Sequence, residues 1–290
     1  MKLTVFLRGG LGNQLFQYAC GLHLSDKYNL KLFFDNITGF RKDVVYNRVF
    51  SLNEIVNHDS VDISSFWMYK CCIRSLIVKY PRLSKTYFRL SSVIYEGVSS
   101  FNFKKRLSSH YFLDGYWQDP KYMDLSSTVL SSKLRGLFED TELDFSVLNL
   151  SANQDFIAIG VRLYEETTNA CVYHKSGTGL DFDRLNATIR ALSDKHNLPV
   201  RVFCASRVKE LSNIFLPENG EFFIGDENSL NDVATLRLFS ESRFRVITVS
   251  SFYWWGAWIS ENVFSKSIGS TYCYNDFINP KLCLDEWKSI

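Results

Sequence analysis

The stretch Phe-Ile-Ala-Ile-Gly-Val-Arg, residues 156–162, is an apolar run closed by a cation, and a helical pattern over 182–195 follows it. The same succession of an apolar strand and then a helix recurs three more times. The further predicted strands are 200–204, 221–224 and 245–249, and the further predicted helices are 207–215, 230–240 and 253–263. Four such β-α units in about 110 residues indicate a parallel sheet covered by helices on both faces, as in a Rossmann-like domain.

A glycine loop lies near the N-terminus, between a predicted strand and a predicted helix. The strand over 3–7 ends before Gly-Gly-Leu-Gly-Asn-Gln, residues 9–14, and the helix is predicted over 13–28. Backbone N–H groups at such a loop face an anion at the helix N-terminus. A nicotinamide dinucleotide site is the weaker interpretation because Leu15 replaces the third glycine of that fingerprint, although Asp35 ends the next strand at a suitable distance.

Length and composition limit the function classes. The 290 residues predict two domains, 1–150 and 151–290, and packing of the last residues back on the first domain is an open alternative. The net charge of +2 does not indicate any class of binding partner. The sequence lacks an apolar run long enough for a transmembrane helix. Seven scattered cysteines without a C-x-x-C pair favour reduced thiols, no metal site and a cytoplasmic location.

Charge is concentrated in residues 63–113. This basic segment holds nine cations and Glu96 as its single acidic residue. The cations are Lys70, Arg74, Lys79, Arg82, Lys85, Arg89, Lys104, Lys105 and Arg106. A solvated helical face and a surface that rests on anionic lipid are both open interpretations, and nucleic acid is disfavoured because no binding module is visible.

Four segments in order resemble the α-1,2-fucosyltransferases, glycosyltransferase family 11. Residues 9–19, Gly-Gly-Leu-Gly-Asn-Gln-Leu-Phe-Gln-Tyr-Ala, are similar to the N-terminal signature of that family, and residues 114–119 to its Gly-Tyr-Trp-Gln element. Residues 157–165 lie where its His-x-Arg-Arg-x-Asp motif is expected. Residues 250–258, Ser-Ser-Phe-Tyr-Trp-Trp-Gly-Ala-Trp, are similar to its Ser-Ser-Phe-Ser-Trp-Trp-Gly-Ala block.

The resemblance implies a fold, a reaction and its substrates. The fold is α/β of the GT-B type, with two Rossmann-like domains facing across a cleft, the acceptor on the first domain and the GDP-sugar on the second. The reaction is an inverting, metal-independent transfer from GDP-β-L-fucose to O2 of a terminal galactose, without a cofactor. The glycan would belong to bacterial O-antigen or surface polysaccharide and be carried on a lipid at the inner face of the membrane.

The residues that carry this chemistry are predicted one by one. Arg162 is always protonated and bidentate toward phosphate, so it suits a departing diphosphate, and Glu165 could accept the proton of the acceptor hydroxyl. Asn13 joins them as a predicted catalytic residue. The predicted substrate-binding residues are Gly10, Gly12, Gln14, Asp232, Ser250, Ser251 and Phe252.

Several positions depart from the family pattern. Gly160 stands for its histidine, Leu163 for its second arginine, Glu165 for its aspartate, and Val249 for an asparagine before the two serines. A different donor or acceptor, and a non-catalytic relative that binds nucleotide or glycan, therefore stay open.

Structural roles compete with the functional ones at a few of these positions. Asp183 and Ser251 are predicted helix N-caps, and Asp232 is either an N-cap or a carboxylate that accepts from the guanine N1–H and N2–H₂ groups. The tryptophans of 250–258 are predicted to be largely core residues.

Overall fold

A computed structural model gives the fold of two compact units, Met1–Leu130 and Ser131–Ile290. The structure describes residues 1–40, 48–52, 93–96, 109–139, 141, 143–151, 154–163, 180–266, 270–274 and 280–290. Most of the basic segment 63–113 and the predicted base Glu165 lie outside the described residues.

The first unit contains a four-stranded parallel sheet. Strand β1 (Lys2–Phe6) leads through helix α1 (Leu11–Tyr28) to β2 (Lys31–Asp35), and β3 (Val93–Tyr95) and β4 (His110–Asp114) complete the sheet. The strand order is β2-β1-β4-β3. The carboxyl ends of β1 and β4 are therefore neighbours at the centre of the sheet.

The second unit contains a six-stranded parallel sheet of order β10-β9-β8-β5-β6-β7. This is the doubly wound order in which the chain leaves the first strand on one side, returns, and continues on the other. Its strands are β5 (Ile157–Gly160), β6 (Val200–Cys204), β7 (Gly220–Ile224), β8 (Phe244–Ile247), β9 (Thr271–Cys273) and β10 (Lys288–Ser289). Its helices are α2 (Thr128–Glu139), α3 (Phe182–His196), α4 (Asp232–Ser240) and α5 (Ser251–Asn262), the first of which begins just before this unit.

The central strands of the second sheet are buried on both faces, which is typical of a parallel sheet. Every residue of β5, β6 and β8 is buried, as expected for strands covered on both faces. The predicted fold class, two α/β domains that each contain a parallel sheet, is confirmed. Within the described residues, none of the helices is both long and apolar enough to cross a bilayer.

The division between the units lies twenty residues before the predicted boundary at 150/151. Two arginines tie the segment 131–150 to the second unit. Arg201 is buried and donates to the carbonyl oxygens of Leu148 at 2.5 Å and Asn149 at 3.4 Å, and Arg135 donates to that of Val263. At the other end of the unit, the last residues form strand β10 beside β9.

Two helices differ from the sequence prediction. The N-cap of α3 is Asp181, whose carboxylate accepts from the Arg184 N–H at 3.1 Å, so the assignment to Asp183 was wrong. The helix predicted over 207–215 is a 3₁₀ turn over Lys209–Asn213. Arg207 lies outside it, and its guanidinium makes two hydrogen bonds with Glu227, at 2.6 and 2.7 Å.

Candidate active site

The carboxyl ends of β5 and β8 define the topological switch point of the second sheet. The Arg162 N–H, two residues after β5, donates to Thr248 Oγ1 at 3.1 Å, and Thr248 follows β8 directly. The same hydroxyl donates to the Gly160 carbonyl at 3.0 Å, and the Thr248 N–H donates to that carbonyl at 3.1 Å. In open α/β sheets this crevice is where ligands bind. The backbone of the predicted catalytic Arg162 therefore lies at the edge of the sheet where ligands bind.

The N-terminus of α5 lies beside the same edge. Ser250 is its N-cap, since its hydroxyl accepts from the Tyr253 N–H at 3.5 Å, and the assignment of Ser251 as the cap was wrong. Ser251 and Phe252 occupy the first turn of the helix and are half-buried. The remaining N–H groups of that turn and the positive end of the helix dipole favour an anion.

Asp232 lies at the first turn of α4, the helix that leads from β7 to β8. Its side chain is exposed, and the N-cap of α4 is Asn231, which accepts from the Ala234 N–H at 2.8 Å. The alternative prediction that Asp232 is the N-cap of this helix is thus wrong. Binding of a nucleobase by this carboxylate stays a prediction.

Two departures from the family pattern have a physical explanation in this chain. A Cβ atom at Gly160 would lie 2.3 Å from Cγ of Tyr253, so the tyrosine ring occupies the space that a side chain at position 160 would need. Leu163 is buried and belongs to the hydrophobic core of the second unit, where an arginine would lose its hydration.

The tryptophans of the serine-tryptophan segment are core residues, as predicted. Trp254, Trp255 and Trp258 have exposed fractions of 0%, 0% and 1%. The helix that carries them packs tightly on α4, because a Cβ atom at Gly256 would lie 2.6 Å from Phe239. Rigid packing of this helix fixes its N-terminus at the switch point.

In the first unit, the glycine loop is shaped by a residue that sequence reasoning did not single out. Gly9 adopts a φ of +80°, and a Cβ there would approach the Asn13 amide nitrogen to 2.6 Å. At Gly10, in contrast, a Cβ would meet Arg48 only at 4.0 Å. The conformational requirement for glycine is therefore at position 9.

Gln14 is engaged inside the protein. It is fully buried, and its amide nitrogen donates to the carbonyl oxygens of Gly9 and Val49, both at 2.9 Å. Its amide oxygen accepts from the Ser51 N–H at 3.0 Å. Gln14 thus ties residues 49–51 to the glycine loop, and substrate binding by it stays a prediction.

Asn13 joins two of the sequence motifs. It lies in the first turn of α1 behind the buried Gly12, and its side-chain oxygen accepts from the Gln118 amide. The loop of 114–119 therefore packs beside the glycine loop, at the carboxyl edge of the first sheet. Arg8 and Tyr116 also lie there, and sequence reasoning missed both.

The dinucleotide interpretation finds no support at Asp35. This carboxylate is fully buried and accepts from the N–H groups of Ile37 and Thr38, each at 3.0 Å. It stabilises its own turn and does not face a ribose. Among the described residues, no three His, Cys, Asp or Glu side chains are grouped so that they could hold a metal ion.

The relatives of this chain are glycosyltransferases, and the similarity extends over nearly its whole length. One is the Alpha-1,2-colitosyltransferase of Escherichia coli, 28% identical over 278 residues that cover 91% of this chain and 90% of the relative. Another is the O-antigen biosynthesis glycosyltransferase WbnK of Escherichia coli, 24% identical over 307 residues, 98% of this chain and 99% of the relative. No protein-family model matches the chain.

Solved structures of three proteins also align with the chain. Arabidopsis thaliana FUT1 with GDP gives a TM-score of 0.47 at 12% identity, covering 89% of this chain and 68% of that one. NodZ alpha-1,6-fucosyltransferase with GDP gives 0.44 at 13% identity, covering 91% of each chain. A glycosyl transferase family 9 protein from Veillonella parvula gives 0.42 at 7% identity, covering 100% of this chain and 85% of that one.

Proposed function

We propose that the protein is an inverting fucosyltransferase that moves fucose from GDP-β-L-fucose to O2 of a terminal galactose during O-antigen synthesis. The observation that carries the proposal is the anchoring of Arg162 by Thr248 across the switch point of the second sheet. Full-length similarity to glycosyltransferases, one of them named for O-antigen biosynthesis, supports the assignment of this class.

In the proposed reaction, the galactose O2 attacks C1 of fucose from the face opposite GDP. The bond between C1 and the phosphate oxygen breaks, and the β linkage becomes an α linkage. Arg162 neutralises the charge that grows on the departing diphosphate, and the N-terminus of α5 with Ser250 and Ser251 binds the same group without a metal ion. Asp232 selects guanine, and Glu165 takes the proton of the acceptor hydroxyl.

The proposed acceptor is a galactose-terminated glycan on a lipid carrier, held by the first unit with Asn13 at its edge. The basic segment 63–113 would then rest on the anionic inner face of the membrane, where each cation contributes about 1 kcal/mol to binding. In this proposal the reaction occurs in the cytoplasm, on a peripheral membrane protein.

Colitose is the second candidate sugar. A relative that matches 91% of this chain is named as a colitosyltransferase, and colitose is fucose without one ring hydroxyl. Competition between GDP-fucose and GDP-colitose for one galactoside acceptor separates the two donors.

The deciding experiment is transfer from GDP-fucose to galactosides in EDTA, with the wild type and Arg162→Ala. Removal of an electrostatic contact to the transition state typically lowers kcat about 10²–10³-fold, which is the expected result. Arg243→Ala is the matched control, since Arg243 is an exposed cation just before β8, at the opposite edge of the same sheet, paired with Asp155 at 2.9 Å. A wild type that neither transfers fucose nor binds GDP-fucose refutes the proposal, and binding without transfer leaves a different acceptor or a non-catalytic relative.

A further inference from the structure

The carboxyl edge of the first sheet holds an ion pair between its two central strands. Arg8 follows β1, Asp114 ends β4, and their side chains meet with a distance of 3.1 Å between Nη1 and Oδ1. The backbone of Arg8 is fixed as well, because its N–H donates to Gln17 Oε1 at 2.9 Å and its carbonyl accepts from Gln17 Nε2 at 3.3 Å. A cation is thereby held at the edge where parallel sheets present their ligand sites.

An aromatic ring lies on this cation. The guanidinium carbon of Arg8 is 4.8 Å from the ring centroid of Tyr116, within the range of a cation–π contact. Tyr116 is nevertheless 40% exposed. Few of the large hydrophobic side chains that the structure describes are exposed, and Tyr116 is the aromatic residue among them. The ring is thus in contact with the cation and still open to solvent, so a ligand can reach it.

The loop that carries Tyr116 is held by contacts on both sides of this residue. The Tyr116 N–H donates to Glu96 Oε2 at 2.7 Å, and a Cβ atom at the preceding Gly115 would lie 2.5 Å from Cβ of Glu96. The following Trp117 has a φ of +59°, is 1% exposed and packs its ring edge-on against Tyr122 at 5.1 Å. Little conformational entropy therefore remains to be lost when a ligand meets the ring.

The chemistry of this cluster fits a sugar. A galactopyranose has one face of C–H groups that stacks on an aromatic ring, and hydroxyls around its rim that hydrogen-bond to charged side chains. The Arg8 side chain is 25% exposed, so this cation is not closed off from the hydroxyls of a sugar.

We propose that Tyr116, supported by Arg8 and Asp114, is the platform on which the acceptor's terminal hexopyranose stacks. The inference rests on the proposed function and assigns the acceptor subsite within the first unit. Tyr116 determines acceptor binding and has no part in donor binding.

The test measures acceptor and donor binding separately in the full-length protein. Saturation-transfer NMR detects binding of a methyl galactoside without any turnover, and kinetics give the acceptor and donor KM. For Tyr116→Ala we expect loss of the NMR signal and an acceptor KM at least tenfold higher, with the donor KM within twofold of the wild type. Tyr116→Phe keeps the ring and should bind the galactoside as the wild type does.

Tyr272→Ala is the matched control, because Lys288 lies over the Tyr272 ring at the same 4.8 Å in the second unit. It should leave the galactoside signal unchanged, and thermal unfolding shows that each variant is folded. A galactoside signal that survives Tyr116→Ala, or that is absent from the wild type, overturns the inference. A different result refutes the proposed function, namely the absence of both GDP-fucose binding and turnover.

Discussion

Replacing Thr248 by Val tests whether the fold positions Arg162 for catalysis. The Thr248 hydroxyl accepts from the Arg162 N–H and donates to the Gly160 carbonyl, and the side chain is 1% exposed. Valine keeps the shape and removes both contacts. The Gly160 carbonyl retains the Thr248 N–H as a partner, so the Arg162 N–H is the group that loses its acceptor.

The size of the effect follows from that single loss. A buried donor without an acceptor costs about 1–3 kcal/mol, and the half-buried position of Arg162 favours the lower end, about 1 kcal/mol. In a unit of this size that lowers the Tm by about 2–4 °C. Catalysis is more sensitive than stability, because a displacement of about 1 Å can reduce the rate about 10²-fold. We expect kcat to fall about 10- to 100-fold, with the acceptor KM unchanged.

Two further variants make the assay decisive. Thr248→Ser retains the hydroxyl and should recover most of kcat. Thr188→Val removes a hydroxyl that donates to a backbone carbonyl at 2.9 Å within α3, so it controls for the loss of such a bond away from the switch point. Fucosyl transfer is measured with saturating donor beside the thermal melt. If Thr248→Val lowers the Tm but keeps the wild-type kcat, the reasoning about Arg162 is refuted.

Three other substitutions test the packing within the two units. Gly160→His should unfold the second unit at a lower temperature because its Cβ meets Tyr253, and adding Tyr253→Ser should restore stability, with a coupling of about 1 kcal/mol or more in the double-mutant cycle. Glu261→Gln leaves the fully buried Arg245, 3.3 Å away, without its counter-charge and should cost about 3–5 kcal/mol in urea unfolding. Gly9→Ala, forced into a φ of +80°, should cost at least about 1–2 kcal/mol in the same measurement.

The sequence predicts the second sheet well because its strands are buried on both faces. Continuous apolar runs such as 156–161 and 200–204 mark strands of this kind, and amphipathic helices separate them. Helix starts are less predictable, since Asp181 and Asp183 are equally good caps by composition, and the backbone geometry that decides between them is local. The unit boundary is also hard to predict, because contacts such as those of Arg201 with Leu148 and Asn149 join residues that are remote in sequence.

The residues of the candidate site also differ in whether the sequence could locate them. Arg162 and the serines could be located because they follow predicted strands, and parallel strands bring their carboxyl ends to one edge. Thr248, Arg8 and Tyr116 could not, since each matters through a partner far along the chain. The strand order, which no local pattern encodes, makes β5 the neighbour of β8 and β1 the neighbour of β4.

The departures from the family pattern bear on whether the site is active. At position 160 glycine is required as long as position 253 carries an aromatic ring, because the two share one space. At position 163 a leucine stands where the family pattern has an arginine. Burial of this leucine side chain stabilises the core. Both changes are accommodated by packing, and the backbone anchor of Arg162 is kept. Both changes are thus compatible with the proposed fucosyl transfer, and the competition between GDP-fucose and GDP-colitose tests whether they alter the choice of donor sugar.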